Sequence, residues 1–215
     1  MDNYIYNIIV PKYASFDAAH REDHALTVID QAMKLYDECP DKELLAGVDR
    51  NLLKMAAACH DLGLINGRDR HHLDSGEIIR NDANLRQWFN EEDIELIAQA
   101  AEDHRASGTH DPRSLYGKLV AEADRVIDAD TIIRRTIQFG FKHYPGLDRE
   151  AHIERAVSHL KEKYGRGGYL KLWIPWSDNA SRLHALQDII ADDKAIRLEV
   201  EKCFLTVIQQ LESCQ

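Results

Sequence analysis

Proline is scarce in this chain, with five in 215 residues. Few breaks are therefore imposed on helices by a missing backbone N–H. Cysteine is scarce too: Cys39, Cys59, Cys203 and Cys214 lie far apart and form no CxxC pair. That excludes a zinc knuckle and a dense disulfide framework, and it points to free thiols in a reducing cytoplasm. No stretch approaches the ~18 apolar residues of a membrane span. The opening MDNYIYNIIVPKYASFD has no basic region followed by a long apolar run, so no secretory signal is expected. Positive charge is in deficit. Lys+Arg is 27 against Asp+Glu 37, a net charge of -10, which excludes broad binding to extended nucleic acid. A local basic patch for a small phosphate ester remains compatible with that balance.

Apolar residues recur at three- and four-residue steps, so the chain reads as a single all-α domain over 1–215. The first helix is expected from about Phe16 to Glu38, with Ala25, Ile29, Ala32, Met33 and Tyr36 as its apolar stripe. A second begins at Asp49 and is stopped by Gly63. A short helix carries His72, Gly76 and Ile79. Asn90 caps the next, which carries Ile94, Ile97, Ala98, Ala101 and His104. Asp111-Pro112 is expected to open a helix running to about Phe139. Another spans Asp148 to about Tyr164. The irregular stretch GRGGYLKLWIPWSDN reads as a turning connection anchored by Trp173 and Trp176. Ser181 is expected to cap a C-terminal helical region that breaks near Asp192-Asp193.

Eleven histidines are many for this length, and histidine is the commonest metal ligand. His60-Asp61 closes an apolar helix in the context AAACHDLGL, where a carboxylate needs a partner or a metal. His24 lies four residues before Val28, beside the apolar stripe of the first helix. His20, one turn earlier, competes with it, but Val28 and Ile29 favour His24. Asp124, in LVAEADRVID, has Val120 four before it and Ile127 three after. Two histidines and two aspartates from three helices can converge on one cation. Imidazole nitrogen with carboxylate oxygen suits Mn, Fe, Co, Ni or Zn better than Mg.

The order His24, His60-Asp61, Asp124 resembles the HD superfamily of metal-dependent phosphohydrolases, whose pattern is H…HD…D on consecutive helices. The resemblance covers about 15–130 and implies an HD-domain helical bundle, with about 131–215 as a C-terminal helical extension. It implies one or two ions. In two-metal members Asp61 would bridge them, with His72 and His104 binding the second. The GYP motif of the HD-GYP phosphodiesterases is absent, as is the acid shortly after HD that some HD nucleotidases use.

The implied chemistry is hydrolysis of a small phosphate ester, a nucleotide among the candidates, by water activated on a divalent ion. Asp61, Arg105 and His71 are the catalytic candidates. Arg105 ranks first among arginines able to grip phosphate, ahead of Arg68, Arg70 and Arg125. Asp103 and His71 are candidates for moving a proton. Two other readings stay open: a di-iron oxygenase built on the same ligand order, and a non-catalytic module that binds a nucleotide or a partner. A homodimer is compatible with the sequence; a membrane partner is not expected.

Overall fold

A computed structural model describes residues 1–17, 20–106, 110–125 and 127–213, and among these there are helices and turns but no strand. The architecture is all-α. The elements are α1 (Asp2–Tyr4), α2 (Glu22–Asp37), α3 (Arg50–Cys59), α4 (His71–Asn81), α5 (Glu91–Asp103), α6 (Leu115–Asp124), α7 (Ala129–His143), α8 (Arg149–Tyr164), α9 (Asn179–Ala191) and α10 (Asp193–Ser213). Residues 18–19, within the first expected helix, and Cys214 lie outside the described residues. No described helix is long and apolar enough to cross a membrane. Cys39, Cys59 and Cys203 are buried free thiols.

Side-chain caps explain most helix starts, because the first N–H groups of a helix lack intrahelical acceptors. Asp49 accepts from the N–H groups of Asn51 and Leu52. Asn90 and Asp93 form a reciprocal capping box at α5. Several expected boundaries move, the first of them because of such caps. The helix expected from Asp111 to Phe139 is two helices. Ser114 caps α6, Arg125 is extended, and Asp128 accepts from Thr131 N–H to start α7. The first long helix begins at Glu22 and not at Phe16, which is extended and closes a run of short helical turns over Ile5–Ser15. Asp178, not Ser181, precedes α9. The expected break does fall at Asp192, whose side chain accepts from Lys194 and Ala195 N–H.

The chain divides into two compact units. Unit 1 comprises Met1–Arg125 and Leu172–Ser177, and unit 2 comprises Val126–Lys171 and Asp178–Gln215. In unit 1, α2, α3, α5 and α6 pack on one another, and α4 packs on α5. The core includes Val28, Ile29, Leu53, Met55, Ile97, Leu119 and Val120, all essentially buried. Tyr13, from the N-terminal turns, is also fully buried. The strap 172–177 belongs to this core. Ile174 is buried in it, Trp173 N–H donates to the buried Glu122 carboxylate at 2.7 Å, and Trp176 Nε1–H donates to the Leu35 carbonyl at 2.8 Å. In unit 2, α10 packs on α7, α8 and α9, with Ile137, Leu160, Val200, Phe204 and Val207 buried.

Trp88, Trp173 and Trp176 are the three tryptophans of the chain, and all belong to unit 1. Tryptophan fluorescence in a urea titration therefore reads that unit. Leu53→Ala, which empties a fully buried site, should lower its stability by about 2–5 kcal/mol. Asn90→Ala, which removes the capping box, should cost about 1 kcal/mol.

Candidate metal centre

Five helix ends of unit 1 carry polar side chains to one place. His24 lies in the first turn of α2. His60 and Asp61 directly follow α3. His71 opens α4, His104 directly follows α5, and Asp124 is the last residue of α6. Three of these ends are C-termini, whose unpaired carbonyls and helix dipoles favour positive charge.

Asp61 stands at the middle, with its side chain only 3% exposed. Its Oδ2 faces His60 Nε2 at 3.3 Å and His24 Nε2 at 3.6 Å. Its Oδ1 faces His104 Nε2 at 3.3 Å and His71 Nε2 at 3.4 Å. On the Oδ2 side, Asp124 Oδ1 lies 3.3 Å from His24 Nε2 and 3.8 Å from His60 Nε2. The ring nitrogens also approach each other, His60 to His24 and His71 to His104, both at 3.3 Å. The donor atoms thus form two groups that share one carboxylate.

The imidazoles are oriented by a repeated device. His60 Nδ1–H donates to the Ala57 carbonyl at 2.8 Å, His71 Nδ1–H to the Arg68 carbonyl at 2.7 Å, and His104 Nδ1–H to the Ala101 carbonyl at 2.5 Å. Each bond runs three residues back and fixes the tautomer that turns an Nε2 lone pair toward Asp61. Asp61 is steadied from below. Tyr13 Oη accepts from Asp61 N–H at 3.2 Å and donates to the Ala58 carbonyl at 2.9 Å.

Gly63 brings the Asp61 turn against α4. A Cβ at position 63 would collide with the His71 carbonyl and with Ser75 N, and Gly63 N–H donates to Ser75 Oγ at 2.9 Å. Gly63 does not end α3 by a left-handed conformation, since it is not among the glycines with positive φ. Its role is close approach, which sets the distance from Asp61 to His71.

The electrostatics are those of a packed polar cluster. Burial opposes ionisation of Asp61, but the neighbouring His60, with His104 and His24 close by, outweighs it and holds the carboxyl well below its usual range. Burial likewise opposes ionisation of Asp124, yet hydrogen bonding to His24 and the nearby imidazoles lower its pKa. Burial would lower His24, but Asp124 and Asp61 raise it to about 9. Burial and the neighbouring His104 lower His71.

The donor set fits divalent metal. Asp61 Oδ1 is buried with no hydrogen-bond donor aimed at it, while two imidazole nitrogens face it. A carboxylate oxygen in that setting suits a shared cation. Two such ions would be held by His24, His60, Asp61 and Asp124 on one side, and by Asp61, His71 and His104 on the other.

His24, His60, Asp61, His104 and Asp124 are brought together as the sequence suggests. His72 is not, and His71 stands where His72 was expected. The loop before α4 puts the Arg68 carbonyl behind His71, while burial and the charge of Arg105 lower the pKa of His72 to about 4. Asp103 does not face the cluster: its buried carboxylate is held by Arg113 through backbone N–H at 2.7 Å and Nε at 3.0 Å. Among the arginines, Arg105 donates to the Asp69 carbonyl at 2.5 Å, Arg68 lies 3.6 Å from Asp17, and Arg125 folds back onto the Ala121 carbonyl. His20 pairs with Asp17 at 2.8 Å, edge-on to His24. Tyr13 and Gly63 were not anticipated in these roles, and no local sequence signal marks either one.

Metal content should separate the two adjacent histidines. His71→Ala should lose bound divalent metal, and His72→Ala should retain the wild-type content by elemental analysis. Metal retained in the first and lost in the second would refute the placement.

The family model of the HD domain matches residues 21–128, half of the chain. No curated protein and no solved structure matches it.

Proposed function

The chain belongs to the HD-domain family, and from that premise we propose that it is a metal-dependent phosphohydrolase acting on a small phosphate ester. The observation that carries this reading is the sharing of Asp61 between two groups of imidazoles, one on each carboxylate oxygen. A pair of divalent ions held by these residues would supply an activated water and polarise a phosphoryl oxygen. The two carboxylates, Asp61 and Asp124, cannot alone balance two divalent charges, so the site favours an anionic substrate. Four imidazoles suit Mn, Fe, Co, Ni or Zn better than Mg.

The side chains define a floor and a mouth. His60, Asp61 and His104 are at most 4% exposed, whereas Asp124 is 27% exposed, His71 12% and His24 10%. Substrate would therefore approach along Asp124, His24 and His71. The Nδ1 bonds to Ala57, Arg68 and Ala101 carbonyls keep the rings from rotating as charge develops. Arg105, beside His104, and Arg68 and Arg70, beside His71, supply cationic groups for phosphate oxygens. Arg125 does not fit that role, because its guanidinium turns back into α6.

A panel of phosphate monoesters and nucleotides assayed with Mn, Co, Ni, Zn and Mg should give metal-dependent phosphate or pyrophosphate release, and Asp61→Asn should abolish it. Oxygen consumption by the iron-loaded protein without phosphate release would assign the oxygenase reading instead. Metal-loaded protein that turns over nothing in either assay would favour the binding module.

A further inference from the structure

We propose that Glu102 is a positioning residue: it fixes the His71–His104 half of the centre more than the His24–His60–Asp124 half. The inference rests on the two-metal reading above. His71 opens α4 and His104 follows α5, so this half of the site exists only if these helices hold one register. Apolar packing alone tolerates small slides along a helix pair, whereas a forked ion pair does not.

Arg80, nine residues after His71, reaches across to α5. It donates from Nε and an Nη to Glu95 at 2.7 and 2.9 Å, and from its other Nη to Glu102 Oε1 at 2.5 Å. Arg113, beyond the connection that follows His104, donates to Glu102 Oε2 at 2.6 Å and to the Gln99 carbonyl at 3.2 Å. It also grips Asp103, immediately before His104. Glu102 therefore holds one arginine on each oxygen, one from α4 and one from the chain returning after His104. Its side chain is 12% exposed and that of Asp103 is 0% exposed, while Arg80 and Arg113 reach them from the surface at 34% and 38% exposure. Burial alone would raise the Glu102 carboxyl, but the two guanidiniums outweigh it and lower it.

Gly76 shows how closely this crossing is fitted. A Cβ at position 76 would overlap Glu102 Oε1 and come within 2.9 Å of an Arg80 Nη. The hydrogen bonds of the network run among α4, α5 and Arg113. The His24–His60–Asp124 half touches this network only through Arg113, which precedes the Ser114 cap of α6; its other supports are the Tyr13 hydroxyl under Asp61 and the mutual contacts of His24, Asp61 and Asp124.

The test is manganese binding by the full-length protein, read by calorimetry, by content after dialysis and by the electron paramagnetic resonance signal of a coupled pair. Wild type should take two ions. Glu102→Ala should weaken one of them by about tenfold or more, the size seen when groups orienting a ligand are removed. It should keep the other and lose the coupled signal. Glu102→Gln, which retains one acceptor oxygen, should fall between. Gly76→Ala should reproduce the loss without removing any charge, and it decides the matter if Glu102→Ala does not fold. Arg197→Ala, which breaks the exposed Arg197–Glu150 pair of unit 2, should keep both ions. Two ions at wild-type affinity in Glu102→Ala, or equal loss of both from a folded variant, would overturn the proposal. Wild-type protein that binds no divalent ion would overturn the metal reading itself, and one that binds a single ion would overturn the two-ion premise.

Discussion

Asp61 keeps both oxygens of an ionised carboxylate in the protein interior, where a charge without counter-charge costs several kcal/mol. The rest of unit 1 is arranged around that demand. Its burial comes from α3, an apolar helix whose final residues turn polar only at His60 and Asp61. Its backbone N–H is taken by a tyrosine hydroxyl from the N-terminal turns. Its oxygens face four imidazoles delivered by four separate segments. Helix C-termini at α3, α5 and α6 add their dipoles to the same point. Such a cluster is costly without a cation and self-consistent with one.

The way each ligand is held follows from the same demand. A histidine at a helix end can reach the carbonyl three residues back, because no further turn covers it. His60 and His104 do so on their own helices, and His71 does so on the loop before α4. Each ring then has one nitrogen committed to backbone and one left for the centre. The site is thereby built by the ends of secondary structure and not by its faces, and rigid helices behind those ends limit how far the donor atoms can drift.

His60-Asp61 was legible in the sequence because two polar residues directly follow the apolar run Met55–Cys59. His24 and Asp124 were legible because helical spacing put them beside apolar neighbours, and His104 because it ends such a helix. The choice between His71 and His72 was not. Adjacent residues on a helix differ by about 100°, and the deciding group, the Arg68 carbonyl, belongs to a loop whose path no periodicity encodes. The break between α6 and α7 was hidden too, because apolar residues continue across it from Val120 to Ile127 and Ile132, while the Asp128 cap acts locally. Tyr13 gave no signal at all, since its hydroxyl meets Asp61 only in three dimensions.

The strap Leu172–Ser177 gives unit 1 a property that the sequence order of its ligands conceals. All six proposed metal ligands have been made by the time the chain reaches Asp124, yet the unit that holds them still lacks Ile174 from its core and the N–H group that meets the buried Glu122 carboxylate. Two helices of the other unit, α7 and α8, must be synthesised before that segment emerges. A growing chain therefore carries a complete set of ligands in an incomplete fold. Closure of the core waits on residues that contribute nothing to the chemistry.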